Sequence, residues 1–309
     1  MVARARERFA AERTKLDRRR RKAEREGALP NLIVIGGLKC GTTSLHHYLA
    51  LHPEIAMSRP KELNFFVAEL NWELGPEWYA SHFDRNAPVR GETSPHYTNL
   101  PRFRGVAERM RDALGGDVRL VYMVRDPIER ILSHYLHNVG AGYEARPIEE
   151  ALADPEGSYL ARSRYAMQLE PYLAAFGRER VLIVDNAELA ATREETVSRV
   201  FEYCGVDPGF SSPQFEREWE TGSARAKEGG FRLMDRAVRL PGLRALDRNF
   251  DRLPESLRWL VERLVHDPGS GAAEKPELAD GLRAKVESEL REDTAELGRL
   301  VGREFAWFG

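Results

Sequence analysis

Four consecutive apolar residues, Leu32-Ile33-Val34-Ile35, run into the loop Gly36-Gly37-Leu38-Lys39-Cys40-Gly41. After the loop, Thr42 to Leu51 carries Leu45, Tyr48 and Leu49 on one helical face. A short β-branched run bounded by turn residues reads as a strand buried on both sides. Strand, glycine loop and helix in that order make one unit of a parallel α/β sheet. The spacing Gly36-x4-Gly41-Thr42-Thr43 is that of a Walker A loop, but Thr42 stands where the lysine of such loops belongs. The lysine here is Lys39, inside the loop. The loop's N–H groups and the following helix N-terminus still form an anion nest, to which Thr42, Thr43 and Ser44 add hydroxyl donors.

Two further units follow. Val118 to Val124 reads as a strand, Arg125-Asp126-Pro127 as its corner, and Ile128 to Val139 as a helix with Asp126 as N-cap and Pro127 at its first position. Val181 to Val184 is a third strand, followed by a helix over Glu194 to Tyr203, and a last long helix covers Pro276 to Val301. Gly- and Pro-containing stretches at 140–158, 205–213 and 222–230 read as loops. The expected fold class is α/β: a P-loop-like three-layer fold with a central parallel sheet and flanking helices.

Residues 1–26 hold eleven Lys/Arg and five Asp/Glu, while the whole chain carries −2. Residues 1–29 therefore read as a charged helix or arm, and residues 30–309 as one domain. The overall charge gives no case for nucleic acid as a partner. No stretch approaches the ~20 apolar residues of a membrane span, and the N-terminus is too charged for a secretory h-region. Two isolated cysteines, Cys40 and Cys204, make neither a disulfide framework nor a zinc site. The expectation is a cytoplasmic protein with no metal ligands.

Arg125 falls at the C-terminal end of its strand, where open α/β sheets bind ligands. Ser133 lies two helical turns on. An arginine fork and a hydroxyl suit a second phosphate, so two anion sites on strand ends point to a ligand with two separated phosphates. The second strand ends in Arg125 rather than a carboxylate for Mg²⁺, although the third does end in Asp185.

The segment Gly37-Leu38-Lys39-Cys40-Gly41-Thr42-Thr43-Ser44-Leu45 resembles the 5′-phosphosulfate loop of sulfotransferases that use 3′-phosphoadenosine-5′-phosphosulfate (PAPS). Val124-Arg125-Asp126-Pro127 through Ser133-His134-Tyr135 resembles their 3′-phosphate motif. The likeness is to the branch with the heparan sulfate N- and O-sulfotransferases and many bacterial relatives. Lys61 to Phe66, Gly91 to Tyr97, Tyr165 to Leu169, and Leu297 as far as Trp307 echo it too, so the resemblance runs over roughly residues 31–309.

The resemblance implies PAPS as co-substrate and an acceptor hydroxyl or amine, on a saccharide or small molecule. It implies that Lys39 neutralises the leaving phosphate oxygen, and that Gly41, Thr42, Thr43 and Ser44 bind the 5′-phosphosulfate. Arg125 and Ser133 would bind the 3′-phosphate. Glu62 would be the general base, in a Glu-x-x-Phe-Phe pattern. Arg225 and Lys227, in the basic loop Ser223 to Gly230, would close over the nucleotide. Thr93 departs from the pattern: heparan O-sulfotransferases tend to have lysine there, which weakens the case for a polyanionic acceptor.

Glu92, His82 and His96 are the other candidates for base or orienter. His46 and His47 read as packing or surface groups, and Trp72, Trp78 and Tyr79 as core residues that could line an acceptor pocket. The alternatives are a P-loop nucleotide kinase or NTPase, against which the displaced lysine argues, and a non-catalytic nucleotide-binding protein of the same fold.

Overall fold

The computed structural model describes residues 29–154, 157–216 and 276–308. The basic arm and the loop bearing Arg225 and Lys227 lie outside the described residues. Five parallel strands form one sheet: β1 (Leu32–Gly36), β2 (Ile55–Met57), β3 (Val89–Thr93), β4 (Arg119–Val124) and β5 (Val181–Asp185). Their order is β2-β3-β1-β4-β5. β1, which the sequence reading makes a strand buried on both sides, is buried at every position. Each such Leu, Ile or Val removed from water contributes about 1.5–3 kcal/mol.

Every crossover is helical. α1 (Thr42–Ala50) follows β1, and α2 (Gly75–Ala80) precedes β3. α3 (Val106–Leu114) leads to β4. α4 (Pro127–Gly140), α5 (Ile148–Ala151), α6 (Ser158–Ala161) and α7 (Tyr165–Phe176) link β4 to β5. α8 (Asn186–Ala191), α9 (Arg193–Cys204) and α10 (Asp280–Val301) complete the described chain. α9 packs on α1 and α8, while α7 packs on α3 and α10, giving one helical layer on each face of the sheet. The three-layer expectation is met.

The sequence reading lacks β2 and β3. β2 is only three residues long. β3, Val-Arg-Gly-Glu-Thr, has no apolar run. It is admitted to the core by Gly91, whose added Cβ would fall 2.4 Å from Met57 Sδ.

Local chemistry explains the element ends that build the site. Asp126 caps α4 by accepting Glu129 N–H at 3.0 Å, with Pro127 at the first position. Asp293, on α10, accepts the N–H groups of Ala166 and Met167 at 3.0 Å each, so the C-terminal helix caps α7. Register sets Val34 beside Thr93 and Val121, and Val124 beside Asp185. The C-terminal ends of β1, β3, β4 and β5 therefore share one edge.

Candidate active site

At that edge lies a cleft of about 720 Å³. Lys39, Gly41, Thr42, Thr43, Ser44, Glu62, Arg125 and Ser133 all line it. These eight residues are thus brought to one place, from segments nearly a hundred residues apart.

The glycine loop is built as the motif requires. Gly37 N–H donates to Met123 O at 2.7 Å, anchoring the loop on β4. Gly41 has φ 85°, is the N-cap residue of α1, and has no room for a side chain: a Cβ would lie 2.4 Å from Asn186 Nδ2. Cys40 is fully buried against the Tyr165 hydroxyl, and burial pushes its thiol pKa up. It packs the loop from beneath.

Lys39 and Glu62 hold φ values of 66° and 67°, and with Asn64 (49°) they are the non-glycine residues of positive φ among the described residues. A left-handed residue costs about 1–2 kcal/mol, and such strain concentrates at functional sites. The strain at Glu62 is held by β3: Glu62 N–H donates to Thr93 O at 2.9 Å, and Asn64 N–H to Ser94 Oγ at 3.0 Å. Lys61 Nζ donates to Glu62 Oε1 at 2.5 Å. The Thr93 hydroxyl is turned inward onto His46 Nδ1 at 3.0 Å, so His46 is a packing group.

Arg125 is fixed at both ends. Its carbonyl accepts the Tyr165 hydroxyl at 2.8 Å, and its guanidinium donates to Glu129 Oε2 at 3.1 Å and to Lys39 O at 3.4 Å. The contact with Lys39 O ties the two candidate anion-binding segments together. Asp185 does other work: it caps α8 through Ala187 N–H at 2.9 Å and faces Arg303 at 3.6 Å.

Two buried arginines stand behind the cleft. Arg130, 0% exposed, donates to Ser163 Oγ at 2.7 Å, Tyr159 O at 2.5 Å and His134 Nδ1 at 3.4 Å. Arg162, 5% exposed, donates to Pro95 O at 2.8 Å and to His96 Nδ1 at 3.5 Å, while its Nε has no partner. Burial lowers the pKa of both, and Arg130 helps bring Arg162 to about 9. Neither forms an ion pair with a carboxylate among the described residues. Burial, then the Arg162 charge, lowers His96 to about 4 against the opposing pull of Glu62. Burial and Arg130 push His134 far down as well. A cleft with unpaired buried cations and neutral imidazoles suits an anionic ligand, which supplies the missing counter-charge.

The Sulfotransferase domain family model matches residues 29–225. The chain belongs to the sulfotransferase family. A 112-residue stretch is 42% identical to the membrane-associated sulfotransferase kil1 of Dictyostelium discoideum, over 35% of this chain and 22% of that one. Over 253 residues the chain is 24% identical to the bifunctional heparan sulfate N-deacetylase/N-sulfotransferase 1 of Caenorhabditis elegans, covering 77% of this chain and 28% of that one. This sulfotransferase thus spans about a quarter of the length of those two relatives. The solved sulfotransferase from Alicyclobacillus acidocaldarius superposes with a TM-score of 0.63 at 25% identity, covering 91% of this chain and 99% of that one. The family uses PAPS.

Two expectations need correction. Glu92 does not reach the cleft. It points from β3 into the core, 0% exposed, among Tyr79 and Tyr97, whose hydroxyls adjoin its carboxyl without forming a well-shaped hydrogen bond. Burial raises it to about 8. His82 packs on Trp78, its Nδ1 2.9 Å from Trp78 O. Trp72, Trp78 and Tyr79 form an aromatic core with Phe65, which stacks on Tyr79 at 4.3 Å, and do not line the cleft.

The sequence reading omits Arg162, Asn186, Arg102 and His137, which also line the sulfotransferase cleft. Asn186 had a signal: it directly follows the end of β5, where ligands bind in such sheets. Arg162 had none, because its importance lies in being buried without a carboxylate.

Proposed function

We propose that this sulfotransferase transfers the sulfuryl group of PAPS to a hydroxyl or amine of a saccharide or other small acceptor, releasing adenosine 3′,5′-bisphosphate. The observation that carries the reading is the convergence of Lys39, Glu62, Arg125 and Ser133 on one cleft. The names of the heparan-directed relatives support a saccharide.

PAPS supplies an activated sulfur bonded to a phosphate leaving group. Loop N–H groups and the Thr42, Thr43 and Ser44 hydroxyls hold the 5′ end, and Arg125 with Ser133 holds the 3′-phosphate. Lys39 meets the charge that builds on the leaving oxygen. Glu62 removes the acceptor proton as its oxygen or nitrogen approaches sulfur. Charge moves along one axis, so fixed donors and placement account for most of the acceleration.

The test is transfer of labelled sulfate from PAPS to an acceptor panel by wild type and Lys39→Ala. The reading expects bisphosphate release coupled to sulfated product, and severe loss with every acceptor in the variant. ATP turnover without sulfate transfer would contradict it.

A further inference from the structure

A guanidinium carries five N–H donors and no acceptor, so a ring nitrogen held against it has to accept. His96 Nδ1 faces Arg162 Nη2, so Nδ1 carries the lone pair and Nε2 carries the proton. Arg162 is itself pinned by Pro95 O, the residue before His96, and buried in the wall. The same lock recurs at His134 Nδ1 against Arg130. Repetition at two cleft histidines makes this a feature of the site rather than of one rotamer.

The consequence concerns what His96 can do. It cannot take a proton at Nε2, which already holds one, and Arg162 blocks Nδ1. With Nδ1 turned to Arg162, Nε2–H sits on the opposite side of a ring that lines the cleft, and has no hydrogen-bond partner among the described residues. Glu62 is hung from Thr93, and Asn64 from Ser94, so the carboxylate and the imidazole approach the same volume from the segment 93–96.

We propose that Arg162 locks His96 as a hydrogen-bond donor to the acceptor oxygen, and that this donor selects hydroxyl over amine acceptors. The proposal rests on Glu62 being the base. A hydroxyl oxygen has two lone pairs: one attacks sulfur, and the other accepts from His96 Nε2–H, while Glu62 takes the proton. The O–S bond forms, the bond from sulfur to the phosphate oxygen breaks, and its electron pair leaves with the bisphosphate. A neutral amine has one lone pair, which the attack consumes. Its remaining hydrogens then confront Nε2–H, a donor facing a donor. A site built to bond a particular group discriminates strongly against an analogue that cannot reciprocate.

The first test needs no acceptor. Long-range ¹H–¹⁵N spectra of histidine-labelled protein, with His96 assigned through His96→Gln, report the tautomer directly. The proposal expects neutral His96 protonated at Nε2 at neutral pH; a proton on Nδ1, or an imidazolium, overturns it. The second uses alkyl glycosides of an amino sugar, which offer hydroxyls and an amine in one molecule, with PAPS at about pH 9, above the usual amino-group range. Wild type is expected to give O-sulfated product. In His96→Ala the O/N product ratio should fall by about tenfold or more, the worth of one lost hydrogen bond. His96→Gln, whose amide N–H reaches about as far as Nε2, should restore it. Wild-type N-sulfation, or an unchanged ratio in His96→Ala, overturns the proposal. Glu62→Gln in the same assay separates the two claims: full activity there removes the base assignment, whatever the ratio at His96.

Discussion

Replacing Gly41 with alanine attacks the anion loop at its tightest point, and two separable costs can be worked from the geometry. The first is conformational: at φ 85° an L-residue pays about 1–2 kcal/mol. The second is steric. The new Cβ would fall 2.4 Å from Asn186 Nδ2, so the amide has to withdraw from the cleft wall or the loop has to shift. Overpacking of this kind costs about 1–3 kcal/mol. Both penalties fall where N–H groups must converge on a phosphate, so affinity should fall at least about tenfold, the equivalent of one lost charged hydrogen bond. Calorimetry with adenosine 3′,5′-bisphosphate and thermal unfolding on Gly41→Ala, Asn186→Ala and the double variant form a cycle. The double variant should regain the steric part and not the conformational part. Wild-type affinity and Tm in Gly41→Ala would refute the loop argument. A double variant no better than the single one would refute the Asn186 contact.

Two further outcomes are expected. Arg125→Ala should weaken bisphosphate binding by about 1.5–3 kcal/mol, the range for a charged hydrogen bond, and unchanged affinity by calorimetry would remove the 3′-phosphate assignment. Glu92 is raised by burial from 4.5 to about 8, so the folded state keeps a proton that the unfolded chain releases. Its stabilising contribution is full below about pH 4.5 and is lost as pH rises to about 8. Glu92→Gln, which cannot titrate, should therefore gain stability relative to wild type as pH climbs through that window. Denaturant midpoints that run parallel for the two proteins would contradict this.

Strands β1, β4 and β5 were legible because each is a short apolar, β-branched run closed by turn chemistry. β3 was not, since its burial depends on Gly91 and a carboxyl held in the core. The same strand explains why Glu92 reads as a possible base in sequence: side-chain alternation along a strand decides which face a residue takes, and one isolated strand does not reveal its inner face. Anion-loop residues were legible because one contiguous segment supplies the N–H groups and hydroxyls. The Arg162–His96 pair was not, because the two residues meet across 66 positions, and only burial makes the missing carboxylate informative.

The central claim is that Glu62 removes the acceptor proton in a cleft that otherwise acts by placement. Its most direct measurement is kcat/KM of Glu62→Gln with an alcohol and with an acidic phenol across pH, beside bisphosphate affinity. The account predicts a loss of about 10²–10⁴ with the alcohol, the usual worth of general base catalysis, with unchanged nucleotide affinity and substantial recovery as the phenol ionises. Wild-type rates with the alcohol would contradict it.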